Sequence, residues 1–247
     1  MYDLHVHVLP GIDDGPEDEE TSLKMIEKAC LHGTKVLLAT PHRKDVTEDS
    51  SVPNIRKLLS KLNDECGDID INLLLGMENH LDVQLPDDLE KGIALSMNDS
   101  RYVLIEMPFW GCPDFVEPTL KIIQSRGFVP VLAHPERIEA FQKNVELLDR
   151  FIKSGMLSQI TGGSLLGYWG EEVRKFTEEL VNTRLVHIMA SDAHTVDGPR
   201  EPLLGPAVKT IASMIGERNA HLMVAGIPFA ILEDKPCDSM IDALRES

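Results

Sequence analysis

The chain has 247 residues, of which 43% are hydrophobic and 26% are charged. These values are typical of a globular protein with a sizeable core, and the length fits one large α/β barrel or two modest domains. The formal net charge of -17 repels the nucleic-acid backbone, so the composition argues against general nucleic-acid binding. A phosphate site in such a chain needs locally positive groups, either metal ions or a few arginines.

Short apolar runs alternate with longer amphipathic stretches along the chain. The runs are rich in Val, Ile and Leu with little polar alternation, which is typical of parallel strands covered on both faces. This alternation predicts a βα barrel or a doubly wound sheet, in one compact domain. The predicted strands are 2–7, 35–40, 71–76, 102–107, 128–133, 157–160 and 186–190. The predicted helices are 18–32, 52–65, 115–126, 145–154, 171–182 and 205–215.

The N-terminal and cysteine patterns predict the compartment. The N-terminus has no basic segment followed by an apolar one, and no apolar run approaches the roughly 18 residues of a membrane helix. The four cysteines are far apart and form no Cys-x-x-Cys pair. We therefore expect no signal peptide, free thiols, and a cytoplasmic protein that is not embedded in a membrane.

Nearly every predicted strand ends in a histidine or a carboxylate. His5 and His7 are two residues apart on the first strand, point to the same face and can share one metal. In a βα barrel the strand ends converge on one face, which is where barrel enzymes keep their sites. The further candidates, in chain order, are Asp13, Asp14, His42, Glu78, Glu106, His134, Asp192 and His194.

The chemistry of these side chains favours a catalytic metal centre. Imidazoles and carboxylates without thiolates suit Mn, Fe or Zn in a site open to water. The candidate ligands are too numerous for one ion, whereas two or three ions that share bridging carboxylates would use them all. A single strand-end carboxylate is more often a cap or a loop residue. The joint occurrence at successive strand ends is what favours a metal centre over that simpler explanation.

Two arginines are candidates to bind a phosphoryl group. Arg137 follows His134 by three residues, and Arg200 follows His194. The guanidinium fork fits phosphate oxygens. The alternative is a surface ion pair, for instance between Arg137 and Glu136.

Short motifs indicate which ligands and which nucleophile the chain could use. The Thr-Gly-Gly-Ser segment at 161–164 either presents backbone N–H groups to an anion or forms a plain turn. The sequence lacks the glycine-rich loops of nucleotide-binding proteins. No cysteine is followed by arginine six residues later, so a metal-activated water is a better nucleophile candidate than a thiolate.

Several strings of the sequence resemble one enzyme family. Asp-Leu-His-Val-His at 3–7 and Ser-Asp-Ala-His at 191–194 resemble the polymerase-and-histidinol-phosphatase (PHP) superfamily. His-Val-Leu-Pro-Gly-Ile-Asp-Asp-Gly-Pro at 7–16, Ala-Thr-Pro-His at 39–42, His-Pro-Glu-Arg at 134–137 and Gln-Ile-Thr-Gly-Gly-Ser-Leu-Leu-Gly at 159–167 are closer still. They resemble the bacterial manganese-dependent protein-tyrosine phosphatases of capsule and exopolysaccharide operons, over residues 1 to about 235.

The resemblance implies a distorted (β/α)7 TIM-like barrel with three divalent metals, Mn foremost. By motif, His5, His7, Glu78 and Asp192 would hold the first ion. Glu78 would bridge to a second ion held by Glu106 and His134. His42, His194 and either Asp13 or Asp14, with Asp14 favoured, would hold the third. Arg137 and Arg200 would bind phosphate. The implied partner is a bacterial tyrosine autokinase with a tyrosine-rich tail.

The sequence therefore predicts a metal-dependent phosphatase that hydrolyses phosphotyrosine with metal-activated water. Asp192 or His194 would protonate the leaving oxygen. The alternatives are a small-molecule phosphatase of the histidinol-phosphate kind, a phosphodiesterase, or a metal-binding partner module without catalysis. We expect one domain over residues 1–247, with a C-terminal tail from about residue 235.

Overall fold

The computed structural model describes residues 1–67 and 69–246, which form eight β-strands and thirteen α-helices. The strands are β1 (Tyr2–Val6), β2 (Val36–Ala39), β3 (Asn72–Leu75), β4 (Asn79–His80), β5 (Tyr102–Glu106), β6 (Val129–Ala133), β7 (Leu157–Thr161) and β8 (Ile188–Ala190). The helices are α1 (Glu19–Leu31), α2 (Arg43–Asp49), α3 (Val52–Cys66), α4 (Leu85–Lys91), α5 (Val116–Ser125), α6 (Glu139–Lys143), α7 (Val145–Lys153), α8 (Gly162–Leu165), α9 (Glu171–Asn182), α10 (Leu204–Ile215), α11 (Glu217–His221), α12 (Ile227–Leu232) and α13 (Asp238–Arg245). Short 3₁₀ turns occur at Met97–Asp99 and Pro135–Arg137, and a π-type turn at Leu222–Gly226.

The first helix shows how the sequence dictates an element. Asp18 caps α1 by accepting a hydrogen bond from the Thr21 backbone N–H at 2.8 Å, and two glutamates in the first turn suit the helix dipole. Met25, Ile26 and Ala29 are buried against the sheet side. The helix ends before Gly33, whose φ of +92° is a conformation that glycine adopts without strain.

The seven predicted strands and six predicted helices are all present, with ends that differ by at most two residues. The sequence analysis missed β4, which has two residues, and the seven shortest helices, because a segment of one or two turns shows too little periodicity. The predicted C-terminal tail contains α13, in which Ile241 and Leu244 are buried in the main hydrophobic cluster.

The strands form two parallel sheets. The residues that the structure describes do not form the continuous (β/α)7 barrel that was expected. One sheet has the order β1-β2-β3 and the other β4-β5-β6-β7-β8. The sheets meet at two single bridges, Val6 with Ala193 and His42 with Glu78. These two junctions are the seams between the sheets. At each seam the chain leaves the regular hydrogen-bond ladder, at the point where Glu78 or Asp192 follows a strand. The fold is thus a mixed α/β arrangement of parallel sheets.

Strand burial explains why the polar groups collect at one edge. Residues 3–6 of β1 and all of β7 and β8 are buried, so helices and loops cover both faces of the sheets. The carboxyl ends of parallel strands lie at the same edge, and the loops that follow them converge there. In the described part of the chain, none of the helices has both the length and the apolar content needed to cross a membrane.

Candidate metal centre

Nine of the ten candidate ligands lie in three adjoining groups at this edge. Within each group the nitrogen and oxygen atoms that could bind an ion lie within 4.8 Å of one another. His7 belongs to two groups, and Glu78 also belongs to two. The groups are His5, His7, Glu78 and Asp192; then Glu78, Glu106 and His134; then His7, Asp14, His42 and His194. Their role as metal ligands stays a prediction.

Glu78 is the carboxylate at the middle of the centre. Its Oε2 atom lies 3.2 Å from His5 Nε2, 3.2 Å from His7 Nε2 and 3.0 Å from His42 Nδ1. Its Oε1 atom lies 2.9 Å from His134 Nε2. Only 1% of the side chain is exposed. A buried carboxylate that contacts four imidazoles has the geometry to be shared between two cations.

The two histidines of β1 show that the centre fits a cation. His5 Nδ1 donates to Gln159 Oε1 at 2.8 Å, and His7 Nδ1 donates to Asp13 Oδ2 at 2.7 Å. Each Nδ1 therefore carries a proton, and in the neutral rings the lone pairs are on the Nε2 atoms, which lie 3.2 Å apart. Two facing lone pairs repel unless a proton or a metal ion lies beside them, so the donor set suits a metal.

The structure separates the two loop aspartates. Asp14 Oδ1 lies 3.3 Å from His42 Nε2 and 3.1 Å from His194 Nε2, within the third group. Asp13 lies outside all three groups. Its carboxylate instead accepts hydrogen bonds from His7 Nδ1, the His42 backbone N–H and the Gly15 backbone N–H. Asp13 therefore holds His7 and the backbone at His42 in place, whereas Asp14 lies where it could bind an ion.

A glycine lets this loop reach the centre. A Cβ atom on Gly15 would lie 2.6 Å from the carbonyl oxygen of His7. A side chain there would push the loop away from β1, and Asp14 with it.

Replacing Asp13 with asparagine should weaken metal binding without removing a site. We expect affinity to fall about 10- to 100-fold, the usual cost of losing an outer partner of a ligating histidine. Asp14→Asn should instead lower the number of ions bound. Calorimetric titration of metal-free protein with Mn²⁺ measures both quantities. Asp18→Asn is the matched control, because asparagine also caps α1; loss of a bound ion in Asp13→Asn would make Asp13 a ligand.

Both candidate arginines contact the groups. Arg137 Nη2 donates to Asp192 Oδ2 at 2.5 Å, and Arg200 Nη1 donates to Asp14 Oδ2 at 2.7 Å. Arg200 also donates to His194 Nε2. In place of the surface ion pair considered as the alternative, Arg137 makes a buried contact with Asp192 inside the centre.

The carboxylates control the charge of the histidines. Burial opposes the charged imidazole, yet hydrogen bonds to Asp14 and Glu78 raise the pKa of His42 to about 11. Burial is likewise outweighed at His7, where Asp13 and Glu78 raise the pKa to about 9. Without metal these rings hold protons that a cation must displace.

The surroundings of Glu106 and His134 favour the neutral forms of these two side chains. Burial and the charge of Glu78 raise the pKa of Glu106 to about 7. Burial and the charge of Arg137 lower the pKa of His134 to about 4, so this ring is neutral and free to bind a metal at physiological pH.

These shifts predict the pH dependence of the metal-free protein. His7 has a pKa of about 9 in the folded state, above the ordinary value of 6.5. Its contribution to stability is therefore fully present below the ordinary pKa and is lost as pH rises through about 9. We expect urea denaturation of chelated protein to show a falling free energy of unfolding over that range. The metal-loaded protein should lose less, and parallel curves for the two forms would contradict the assignment.

Two candidate ligands, His134 and Asp192, have uncommon backbone angles. His134 has a φ of 33° and Asp192 a φ of 54°, in the left-handed region that costs energy for residues other than glycine. The Asp192 backbone N–H donates to the His5 carbonyl at 2.8 Å, and the Ser191 N–H donates to the buried Asp3 carboxylate at 2.9 Å. These bonds to β1 hold Asp192 in its strained conformation beside His5.

Two supporting residues, Gln159 and Arg43, were not among the predicted site residues. Gln159 on β7 holds His5, and its own Nε2 donates to the Ile160 carbonyl, which fixes the amide orientation. Arg43, only 3% exposed, is paired with Asp82 and Asp88 and links the loops after β2 and β4. The signal that could have identified Gln159 was a polar side chain in the middle of a predicted strand, and no comparable signal existed for Arg43.

Glu136 occupies two hydrogen-bond donors of the 161–164 segment. Its buried Oε1 accepts hydrogen bonds from the Thr161 backbone N–H at 2.9 Å and from Ser164 Oγ at 2.7 Å. The segment continues into α8, so these donors hold a protein carboxylate rather than an outside anion.

The fold and site define a protein whose strand ends bring several imidazoles and carboxylates together for divalent cations. A family model for capsular polysaccharide synthesis, CpsB/CapC, matches residues 1–233. The chain belongs to the CpsB/CapC family, which confirms the resemblance found in the sequence.

Individual relatives agree with this assignment. The tyrosine-protein phosphatase YwqE of Bacillus subtilis is 37% identical over 198 residues, covering 79% of this chain and 78% of the relative. The tyrosine-protein phosphatase CpsB of Streptococcus pneumoniae is 28% identical, covering 95% of this chain and 99% of the relative. A solved structure from a study of these two proteins, described as unique metal-dependent tyrosine phosphatases, has a TM-score of 0.90 at 33% identity and covers 96% of each chain. A dihydroorotase from Campylobacter jejuni has a TM-score of 0.53 at 12% identity, covering 95% of this chain and 83% of that one, which is a likeness of fold alone.

Proposed function

We propose that this protein is a metal-dependent phosphatase that removes phosphate from phosphotyrosine in proteins. The observation that carries the proposal is the set of three donor groups, joined by shared ligands, with two arginines in contact with them. The names of the relatives at 28% to 37% identity support the same activity.

The arginines have donors to spare for a phosphate. Within residues 1–67 and 69–246, neither Arg137 Nε nor Arg200 Nε has a hydrogen-bond partner, although both atoms are buried. Buried donors are rarely left unsatisfied, so each calls for an acceptor such as a phosphoryl oxygen. The two guanidinium groups would also offset the negative charge of phosphate in this acidic protein.

The three groups would hold two or three divalent ions, Mn foremost, with Fe or Zn as alternatives. Such ions would lower the pKa of a water molecule and offset charge on the phosphoryl oxygens. The chain's own contribution is to orient the ligands through Asp13 and Gln159 and to bind phosphate through Arg137 and Arg200. None of these steps needs a covalent intermediate on the protein.

Of the two candidates to protonate the leaving oxygen, neither is favoured: burial and the charge of His7 lower the pKa of His194, and its Nε2 atom accepts a hydrogen bond from Arg200. Although burial opposes the charged form, His5 and Arg137 hold the pKa of Asp192 well below its usual range, so it has no proton to give at neutral pH. A phenol is a good leaving group and needs little assistance. We assign Asp192 the role of fixing Arg137.

The test is phosphate release from a phosphotyrosine peptide after chelation and after adding back Mn²⁺, Fe²⁺ or Zn²⁺ separately. We expect activity to disappear with the chelator and to return with metal, and vanadate to have little effect because no cysteine nucleophile takes part. Histidinol phosphate and a phosphodiester in the same assay address the alternative enzymes. Metal binding without turnover of any of these esters would favour the non-catalytic module.

The finer features belong to the same proposal. We propose a distorted seven-stranded barrel in one domain over residues 1–247, a reading supported by the two bridges between the sheets if β3 and β4 are counted as one bent strand. We propose a tyrosine autokinase of capsule or exopolysaccharide synthesis as the phosphoprotein partner, in the cytoplasm, in keeping with the family description and four free cysteines.

A further inference from the structure

Four large aromatic side chains are exposed in two loops. These loops belong to the two strands that lie on either side of β6 in the sheet. Phe109 and Trp110 follow β5, and Tyr168 and Trp169 follow α8, which itself follows β7. Their exposures are 40%, 80%, 44% and 36%. Strands β5 and β7 are the neighbours of β6, whose loop carries Arg137. Aromatic surface left in water at the edge of a polar site indicates a binding surface.

Two of these rings contact the phosphate-binding turn directly. The Phe109 ring stacks on His134, with centroids 5.6 Å apart and planes 7° from parallel. The Arg137 guanidinium carbon lies 4.9 Å from the centroid of the Trp169 ring. The Arg137 backbone N–H donates to the His134 carbonyl at 2.9 Å, so both contacts belong to one turn. Any phosphoester held by Arg137 therefore has aromatic carbon beside it.

The backbone of the loop that carries Phe109 is held in place before a substrate arrives. The Glu139 backbone N–H donates to the Phe109 carbonyl at 3.0 Å, and Glu139 Oε2 accepts from the Gly111 backbone N–H at 3.0 Å. These bonds tie the loop after β5 to the loop after β6. A preformed surface costs less conformational entropy on binding than one that must be ordered.

The second aromatic loop packs on a residue without a side chain. A Cβ atom on Gly163 would lie 3.2 Å from Tyr168 Cδ2, 3.7 Å from Trp169 Nε1 and 3.2 Å from the Pro199 carbonyl oxygen. Glycine at this point lets the loop with Trp169 approach the segment that precedes Arg200. Aromatic carbon is thus close to both phosphate-binding segments.

We propose, resting on the phosphatase function above, that Phe109 and Trp169 bind the phenol ring of phosphotyrosine while Arg137 holds its phosphate. The rings then determine specificity for aryl over alkyl phosphomonoesters. A serine or threonine phosphate has no ring to place on this surface, whereas a phenol ring gains contact area and ring-to-ring stacking. Trp110, the most exposed of the four, is available to residues that flank the phosphotyrosine.

The experiment compares Phe109→Leu and Trp169→Leu with the unsubstituted metal-loaded protein. Leu31→Ala is the control, because Leu31 is 84% exposed and ends α1, outside both aromatic loops. The substrates are a phosphotyrosine peptide and a phosphoserine peptide of otherwise identical sequence. Inhibition by inorganic phosphate and metal content are measured on each variant.

We expect each substitution to lower kcat/KM for the phosphotyrosine peptide about three- to tenfold, mainly through KM, the size of one lost aromatic contact. Inhibition by inorganic phosphate, metal content and activity on phosphoserine should not change. Equal losses on both peptides, or an equal loss of phosphate inhibition, would overturn the proposal, because the rings would then act only by positioning Arg137 or His134. An unsubstituted protein inactive on both peptides would instead refute the phosphatase function itself.

Discussion

Replacing Glu78 with glutamine should abolish most activity and lower the number of bound metal ions. Glutamine keeps the size of the side chain but removes the charge that four histidines share. Because Glu78 belongs to two of the three groups, kcat/KM should fall by more than about 100-fold. That is the largest loss expected when a residue that only hydrogen-bonds to a metal ligand is removed. Metal analysis by mass spectrometry and steady-state kinetics on a phosphotyrosine peptide measure the two effects.

The control for this variant is Glu20→Gln. Glu20 is an exposed glutamate that pairs with Lys24 on α1, outside all three groups. Circular dichroism and a urea titration establish whether Glu78→Gln remains folded. A folded Glu78→Gln protein with full metal content and unchanged turnover would remove Glu78 from the centre and the proposed mechanism with it.

Replacing Arg137 with lysine should lower kcat/KM about 10²- to 10³-fold while metal content stays the same. Lysine keeps the positive charge beside Asp192 but has no planar fork, and it loses the Nε donor that has no partner among the described residues. Inhibition by inorganic phosphate should weaken in parallel, because the same donors bind product and substrate.

Arg150→Lys is the matched control, since Arg150 is 63% exposed on α7 and pairs with Glu117. Exposed ion pairs of this kind contribute little, so its kinetics should match those of the unsubstituted protein. Retention of phosphate inhibition in Arg137→Lys, together with a loss of activity below tenfold, would show that Arg137 is structural.

The sequence predicted the regular elements because their periodicity is strong. Strands β2 and β6 are apolar runs bounded by turns, and α9 has helical spacing over its whole length. The placement of strand-end side chains at one edge follows from parallel strand direction, which is why His5, Glu78 and His134 are found together.

Other features depend on side-chain directions that a sequence does not contain. Asp13 and Asp14 are adjacent, and only the fold of the loop around Gly15 decides which one reaches the third group. The division into two sheets depends on where the hydrogen-bond ladder is interrupted, at Glu78 and Asp192. The periodicity of the strands is the same on both sides of these positions, so it does not predict the interruption.

The two seams between the sheets have a consequence for the protein when metal is scarce. His5 and His42 belong to the three-stranded sheet and its loops, whereas Asp192, His194 and Glu106 belong to the five-stranded sheet and its loops. Two of the three groups combine donors from both sheets, and in the third Glu78 lies between β3 and β4, so each bound cation would strengthen the contact between the sheets beyond the bridges and backbone hydrogen bonds at the seams. Metal depletion should therefore speed amide exchange at the His7 and Asp192 N–H groups, which bond across one seam. A metal-starved cell would then hold a loosened and protease-sensitive protein rather than one that is merely idle.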